Sequence, residues 1–124
     1  MDLHKNIPVF YAKSRKEWRK WLQQNHEMES KVWLIVYHKN AVTPGVKYAE
    51  FVEEGLCFGW INSLANKRDG ESYFQYFSKR NPKSTWSKSN RERVAELTKK
   101  GIMTPAGQAM VDLAKEKGTW ISGE

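Results

Sequence analysis

The feature that most constrains this chain is an unbroken apolar run from Val32 to Tyr37, with the sequence Val-Trp-Leu-Ile-Val-Tyr. Most of its residues are β-branched or aromatic, and none alternates with a polar residue. A strand with one solvated face would alternate, so this run predicts a strand that is covered on both faces. We therefore expect a central strand over residues 31–39, with the rest of the chain packed around it.

Helices are predicted before and after this strand in the sequence. Ser14, followed three residues later by Glu17, has the pattern of a capping box and predicts a helix over 14–27. A second helix is expected over 47–57, with Gly55 on its inner side allowing a close approach to the strand. The spacing of the first helix predicts that four polar residues point outward: Arg15, Arg19, Lys20 and Gln23.

The second half of the chain predicts a hairpin followed by two helices. The hairpin joins residues 60–65 to residues 72–79 through a turn at Asp69-Gly70, and its ring-rich second face is expected to be partly covered by the segment around Trp86. The first helix is predicted over 89–100. The second is expected to begin at Thr104-Pro105 and to end before Gly118, because these residues are typical of helix ends.

These elements together predict a single α+β domain over residues 1–124. We expect a small antiparallel sheet of about three strands, two helices packed on it, and a C-terminal helical pair. Residues 7–10 contain Pro8, which removes a donor and fixes φ, and are interpreted as an extended arm.

The composition favours a cytoplasmic protein. Cys57 is the single cysteine, which excludes an internal disulfide and fits a reducing compartment. Residues 1–10 lack the pattern of a signal peptide, and the run from Val32 to Tyr37 is too short to span a bilayer. We therefore expect no membrane insertion.

The charge favours an anionic partner. The formal net charge is +7, and residues 79–100 hold eight lysines and arginines against two glutamates. A surface of that sign attracts nucleic acid, acidic lipid, phosphorylated ligands or an acidic protein segment. The alternative is a solvated basic face that keeps a small protein in solution.

Catalytic and metal chemistry have little support in the sequence. Its three histidines and Cys57 show no metal-ligand spacing, and no phosphate-binding glycine motif is present, so we expect neither a metal nor a cofactor. A nucleophilic Cys57 stays open, although a buried, unreactive thiol is the usual case between apolar neighbours. Glu53 and Glu54 are adjacent on a helix, which argues against their acting as a catalytic carboxylate pair. The sequence therefore predicts binding over catalysis.

The segment from Asn81 to Arg91 is the best candidate site. Hydroxyl and amide groups at a predicted helix start, with cations beside them, are suited to holding an anion. Trp60 and Trp86 would supply a stacking wall in a groove that Tyr73 also lines. The polar and charged candidates are Lys83, Ser87, Lys88, Asn90 and Arg91. The alternative is that Ser87 and Asn90 are caps and Trp86 is part of the core.

Several separated motifs follow one another over about residues 10–120: Val32-Trp33-Leu34, Glu53-Glu54, Leu56-Cys57-Phe58-Gly59-Trp60-Ile61, Ser84-x-Trp86-Ser87-Lys88-x-Asn90, Gly101-x-Met103-x-Pro105-Ala106-Gly107, Ala114-Lys115 and Gly118-x-Trp120. In these motifs the chain resembles the bacterial YdeI/OmpD-associated family, also called bacteriocin-protection proteins. Where that family usually carries aspartate, this chain has Asn62. Asn62 is a candidate ligand contact, but a role that needs a carboxylate at this position is in doubt.

The resemblance implies a bacterial protein without an agreed catalytic activity, linked by name to resistance against bacteriocins and cationic peptides and to an outer-membrane porin. A basic protein repels cationic peptides, so we expect an indirect protective role. Our interpretation is a binding protein with a groove for an anionic ligand or an acidic partner. Two alternatives stay open: sequence-nonspecific nucleic-acid binding, and a small-molecule enzyme using Cys57 or Glu53/Glu54.

Overall fold

The computed structural model describes residues 2–120, and Met1 and residues 121–124 of the predicted domain lie outside the described residues. Within this range the chain forms a five-stranded sheet and four helices. In chain order the elements are β1 (Leu3–His4), β2 (Ile7–Phe10), α1 (Arg15–Asn25), β3 (Lys31–Tyr37), α2 (Tyr48–Cys57), β4 (Trp60–Lys67), β5 (Ser72–Lys79), α3 (Lys88–Lys99) and α4 (Pro105–Lys117).

The sheet has the strand order β1-β2-β3-β5-β4. β3 is the middle strand, which confirms its prediction as the central one. The α+β class is also confirmed, but the sheet is larger than the three strands expected, and it is mixed, because β2 runs parallel to β3. Residues 7–10 are extended, as predicted, but they form strand β2 of the sheet. Pro8 removes one backbone donor, yet the residues after it, Val9 and Phe10, pair with Trp33 and Leu34.

The predicted helix ends agree closely with the structure. The Ser14 hydroxyl accepts a hydrogen bond from the Glu17 amide, and the Thr104 hydroxyl accepts one from the Gly107 amide. Gly118 has a left-handed backbone with φ of 78° directly after α4. α3 begins one residue earlier than predicted, because Ser87 is its cap.

The helices share one core with a single face of the sheet. Val32, Leu34 and Val36 of β3 belong to the core cluster that contains residues from all four described helices, whereas Trp33 points to the opposite face. The predicted cover of that opposite face by the segment around Trp86 is wrong. Trp86 lies in the helix-side core.

α4 is docked against the end of α2 by a glycine. A Cβ on Gly107 would lie 2.2 Å from the carbonyl oxygen of Cys57, so no other residue fits without moving the backbone. The Thr104 amide donates to the same carbonyl oxygen at 3.1 Å. This contact fixes where the loop between α3 and α4 passes the helices α1 and α2.

Candidate functional site

The two indoles of the predicted stacking wall are inside the protein. Trp60 is 1% exposed and Trp86 is 3% exposed. Trp60 packs edge-on against Trp21, and Trp86 packs against Trp120, with ring centroids 4.9 Å apart in the second pair. Neither ring presents a face to solvent, so the stacking wall is not formed and both indoles belong to the core.

The polar part of the predicted site lies at the start of α3. Lys83, Ser87 and Lys88 are exposed, whereas Asn90 and Arg91 are half-buried. The Ser87 hydroxyl accepts from the Asn90 amide at 3.1 Å, which confirms the interpretation of Ser87 as a cap. The side-chain oxygen of Asn90 accepts from Arg93. Anion binding at this helix start stays a prediction.

Asn62 and Tyr73 lie on the helix side of the sheet near the start of α2. Asn62 Nδ2 donates to the hydroxyl of Tyr48 at 2.5 Å. Burial and, to a smaller extent, the Tyr48 hydroxyl raise the pKa of Tyr73 above its ordinary value. The predicted site residues are therefore distributed over the core, the start of α3 and this tyrosine pair.

A cluster of charges that the sequence did not predict joins α1 to α2. Arg15 Nη1 donates to Glu53 at 2.8 Å, and Arg15 Nε donates to Glu54. Arg19, one helical turn further along, donates from Nη1 to the other oxygen of Glu54 at 2.8 Å. Glu54 is only 2% exposed, so this buried carboxylate holds two guanidinium groups side by side.

The ion pairs keep both arginines charged. Burial acts to lower the pKa of Arg15 and of Arg19, but hydrogen bonds and charge attraction from Glu54 outweigh it, and the net pKa of each is raised above the ordinary arginine value. Each guanidinium has five N–H donors, more than these contacts use. The cluster can therefore offer fixed donors to a further acceptor.

These arginines line a cavity of about 450 Å³ between α1, α2 and the loop that follows α3. Arg19 Nη2 donates to the Ile102 carbonyl at 2.9 Å, which ties α1 to that loop. We call this cavity the arginine cleft; its lining residues are Arg15, Lys16, Arg19, Glu54, Lys100 and Ile102. The four cations of the lining face two carboxylates, Glu53 and Glu54, so positive charge is in excess there.

Cys57 lies beside this cluster but is sealed in the core. Its side chain is fully buried, and burial together with the nearby charge of Glu54 raises the pKa of the thiol to about 11. A thiol with that pKa is almost entirely protonated at neutral pH and is a poor nucleophile. The geometry therefore favours the interpretation of Cys57 as an unreactive core residue.

Arg80 is buried more deeply than Arg15 and Arg19, in a different environment. Arg80 is 6% exposed, its Nη2 donates to the Thr85 carbonyl at 2.8 Å, and its Cζ lies 3.8 Å from the centre of the Trp86 ring. Its Nε is buried without a hydrogen-bond partner among the described residues. Burial lowers the pKa of Arg80 to about 10. We call Arg80 and Trp86 together the Arg80 site.

Helical spacing alone does not reveal the arginine cleft, because it predicts that Arg15 and Arg19 point outward. A signal was nevertheless present. Glu54 comes three residues after Phe51 and next to Gly55, which places it at the edge of the buried stripe of α2. A carboxylate at such a position needs a cationic partner, and an arginine pair at i and i+4 on a neighbouring helix can provide it.

Two further properties bear on the kind of site. Between Asp2 and Trp120, no three histidine, cysteine, aspartate or glutamate side chains come together in a way that could hold a metal ion. None of the helices in this range has the length and apolar character needed to cross a lipid bilayer.

The fold and the cleft define a small basic α+β protein with a buried ion-pair cluster at the edge of a solvent-accessible cavity. Residues 10–110 match the profile of the family described as "Domain of unknown function (DUF8412)", and the chain belongs to that family. No curated protein matches the chain significantly. No solved structure does so either.

Proposed function

We propose that this protein binds a small anionic ligand, or an acidic segment of a partner, in the arginine cleft. The observation that carries the proposal is that the buried carboxylate of Glu54 fixes Arg15 and Arg19 side by side at the edge of a cavity of about 450 Å³. Guanidinium groups held in a fixed orientation bind carboxylates and phosphates with little loss of side-chain freedom. Lys16 and Lys100 add positive charge to the same cavity.

The position of the ligand differs from the one that the sequence predicted. The ligand is still expected to be anionic. Its contacts are assigned to the arginine cleft, because Trp60 and Trp86, which were predicted to line a groove, are buried. Catalysis by Cys57 or by Glu53/Glu54 is less well supported. The thiol has a raised pKa of about 11, and both carboxylates are held by Arg15.

The proposal extends to the biological role that the sequence resemblance implies. A relation to the YdeI/OmpD-associated family would make this a cytoplasmic, stress-linked binding protein of bacteria. The net charge of +7 supports an indirect part in resistance to cationic peptides, because like charges repel.

The test is a thermal-shift and calorimetric screen with phosphate, sulfate, citrate, a nucleoside monophosphate and an acidic peptide. Two double variants separate the candidate sites: Lys16→Gln/Lys100→Gln removes charge from the cleft, and Lys83→Gln/Lys88→Gln removes the same charge near the start of α3. We expect the first variant to lose at least tenfold in anion affinity and the second to behave as wild type.

Either of two results would contradict the proposal. Loss of binding in Lys83→Gln/Lys88→Gln alone would assign the ligand to the start of α3, as the sequence suggested. Absence of a response in the wild type to every anion in the screen, at low ionic strength, would remove anion binding altogether.

A further inference from the structure

The sheet face opposite the helices carries a cluster of aromatic rings. Cross-strand neighbours Trp33 on β3 and Tyr76 on β5 have ring centroids 5.0 Å apart. Phe74, two residues before Tyr76 and on the same face, lies 6.1 Å from Trp33. Trp33 is buried beneath its neighbours, while Phe74 and Tyr76 are half-buried and leave ring area open to solvent.

One flat ring already stacks on this cluster. The His4 imidazole lies over Phe74 with centroids 4.1 Å apart and planes 18° apart. Lys5 and Asn6, with φ of 53° and 64°, turn β1 back along β2 and bring His4 to this position. We call the surface formed by His4, Trp33, Phe74 and Tyr76 the aromatic sheet face. A parallel, nitrogen-containing ring on a phenyl ring has the geometry that a nucleobase adopts on a protein stacking platform.

Cations lie around the aromatic sheet face. The five strands contain no aspartate or glutamate. Lys31 pairs with Ser78 at one end of the face, and Lys5 occupies the turn beside His4. Arg68 Cζ lies 5.9 Å from the centre of the Phe74 ring, although this guanidinium also pairs with Asp69 at 2.9 Å. Cations around half-open rings complement a chain of phosphates that carries unpaired bases.

We infer that the aromatic sheet face binds single-stranded nucleic acid. Bases stack on Tyr76 and, in place of the His4 imidazole, on Phe74, and Lys5, Lys31 and Arg68 contact the phosphates. Stacking does not depend on base identity, so the face takes single strands with little sequence preference. Because it lies on the opposite side of the sheet from the arginine cleft, this inference does not rest on the proposed function.

The experiment is fluorescence anisotropy with labelled 12-nucleotide oligo(U) and oligo(dT), and with an abasic oligomer of the same length. The abasic oligomer keeps the phosphates and removes the bases. We expect both base-containing strands to bind more tightly as the salt concentration is lowered. The abasic strand is expected to bind with an affinity lower by about tenfold or more.

Matched variants locate the binding. We expect Phe74→Leu and Tyr76→Leu each to weaken oligonucleotide binding about tenfold, since each removes one stacking ring. Tyr76→Phe retains the ring and is expected to bind as wild type. Tyr48→Leu, an exposed tyrosine on the helix side, is the control and leaves affinity unchanged. Lys31→Gln is expected to make the negative slope of log affinity against log salt shallower by about 0.7, whereas Lys117→Gln, at an exposed position, should leave the slope unchanged.

Three results would overturn the inference: no binding to either strand at low salt, equal binding of the abasic strand, or equal affinity of Tyr76→Leu and Tyr48→Leu. Melting curves establish that each variant is folded. If Phe74→Leu fails to fold because the His4 stack is lost, Tyr76→Leu and the abasic strand decide the question without it.

Discussion

The arginine cleft and the Arg80 site accommodate buried positive charge in opposite ways. In the cleft, the carboxylate of Glu54 accepts hydrogen bonds from two guanidinium groups, and the pKa of each arginine is raised above its ordinary value. At the Arg80 site, a more deeply buried guanidinium meets an indole ring and one carbonyl oxygen, and its pKa is lowered to about 10 by burial.

The difference shows that burial alone does not determine how a cationic side chain is held in place. Residues 79–100 hold eight lysines and arginines, but three of the four cations that line the cavity come from residues 13–20, where five cations fall within eight positions. What distinguishes the cleft is a carboxylate that packs inside the core and orders the cations around it. Fixed geometry therefore comes from Glu54 rather than from the number of positive side chains.

The largest effect is expected from Gly107→Ala, which changes no charge but disturbs the packing of α4 against α2. The added Cβ would lie 2.2 Å from the Cys57 carbonyl oxygen, so α4 and the loop carrying Lys100 and Ile102 must move away from α2. We expect a loss of about 3 kcal/mol in the free energy of unfolding, at the upper end for overpacking. Chemical denaturation measures it.

The matched control for Gly107→Ala is Gly70→Ala, because no heavy atom lies within 4 Å of a Cβ at Gly70. It should change stability by less than about 0.5 kcal/mol. If Gly107→Ala proved as stable as this control, the contact with α2 would not fix the loop between α3 and α4. Lys100 and Ile102 would then not form a fixed side of the cleft.

Glu54→Gln tests whether the buried carboxylate organises the cleft. The variant keeps the shape of the side chain but leaves Arg15 and Arg19 as neighbouring cations without their shared counter-charge. We expect a loss of about 2 kcal/mol, less than the roughly 3–5 kcal/mol of a fully buried pair, because the two arginine side chains keep 29% and 26% exposure.

Glu53→Gln is the control for this change, since its carboxylate contacts only the partly exposed Arg15 in the described ion pairs. Its cost should stay below about 1 kcal/mol. Equal costs for Glu53→Gln and Glu54→Gln would mean that burial of Glu54 has no energetic consequence, and the contrast with the Arg80 site would disappear.

Cys57 gives a pH-dependent test of the interior beside Arg19. Its pKa in the folded protein is raised from 9.0 to about 11, so the folded state binds more protons than the unfolded state between these values. The stabilising contribution is complete below about pH 9 and is lost as the pH rises to about 11, with a total on the order of 2 kcal/mol.

The measurement is urea denaturation of wild type and Cys57→Ala at several pH values between 7 and 11. Cys57→Ala is expected to be less stable at neutral pH because of the cavity it creates, and the difference between the two proteins should shrink above about pH 9. A difference that stays constant with pH would show that the thiol titrates equally in the folded and unfolded chains.

Much of the fold follows from local sequence patterns. Ser14, Thr104 and Gly118 mark helix ends through contacts within a few residues, and the run from Val32 to Tyr37 identifies the central strand. The pairing of β2 with β3 could not be predicted in the same way. It joins Val9 to Trp33 across an intervening helix, and the short run around Pro8 has no local signal for it.

The site was harder to predict because it depends on contacts between distant residues. Arg15 and Glu54 are 39 positions apart, so neither identifies the other by spacing alone. Trp60 and Trp86 had two interpretations, and only the packing of the helices on the sheet distinguishes a buried indole from one that lines a groove. The position of Glu54 at the edge of the buried stripe of α2 was a local indication of the cleft.

Arg80→Met is expected to have the smallest effect and is the sharpest test of the comparison. Removing the charge relieves a burial cost of about 3 kcal/mol, as judged from the lowering of the Arg80 pKa from 12.5 to about 10. The variant also loses the contact with the Trp86 ring, worth about 1–2 kcal/mol, and a hydrogen bond worth about 1 kcal/mol. These effects oppose each other, so the free energy of unfolding should change by less than about 1 kcal/mol.

Arg19→Met in the cleft provides the comparison, because it leaves the buried carboxylate of Glu54 with one cationic partner in place of two. It should cost more than about 1 kcal/mol, since the remaining carboxylate is poorly compensated. If Arg80→Met cost as much as Arg19→Met in chemical denaturation, an indole ring and a carbonyl oxygen would compensate a buried guanidinium as well as a carboxylate does. The carboxylate would then not be what distinguishes the cleft.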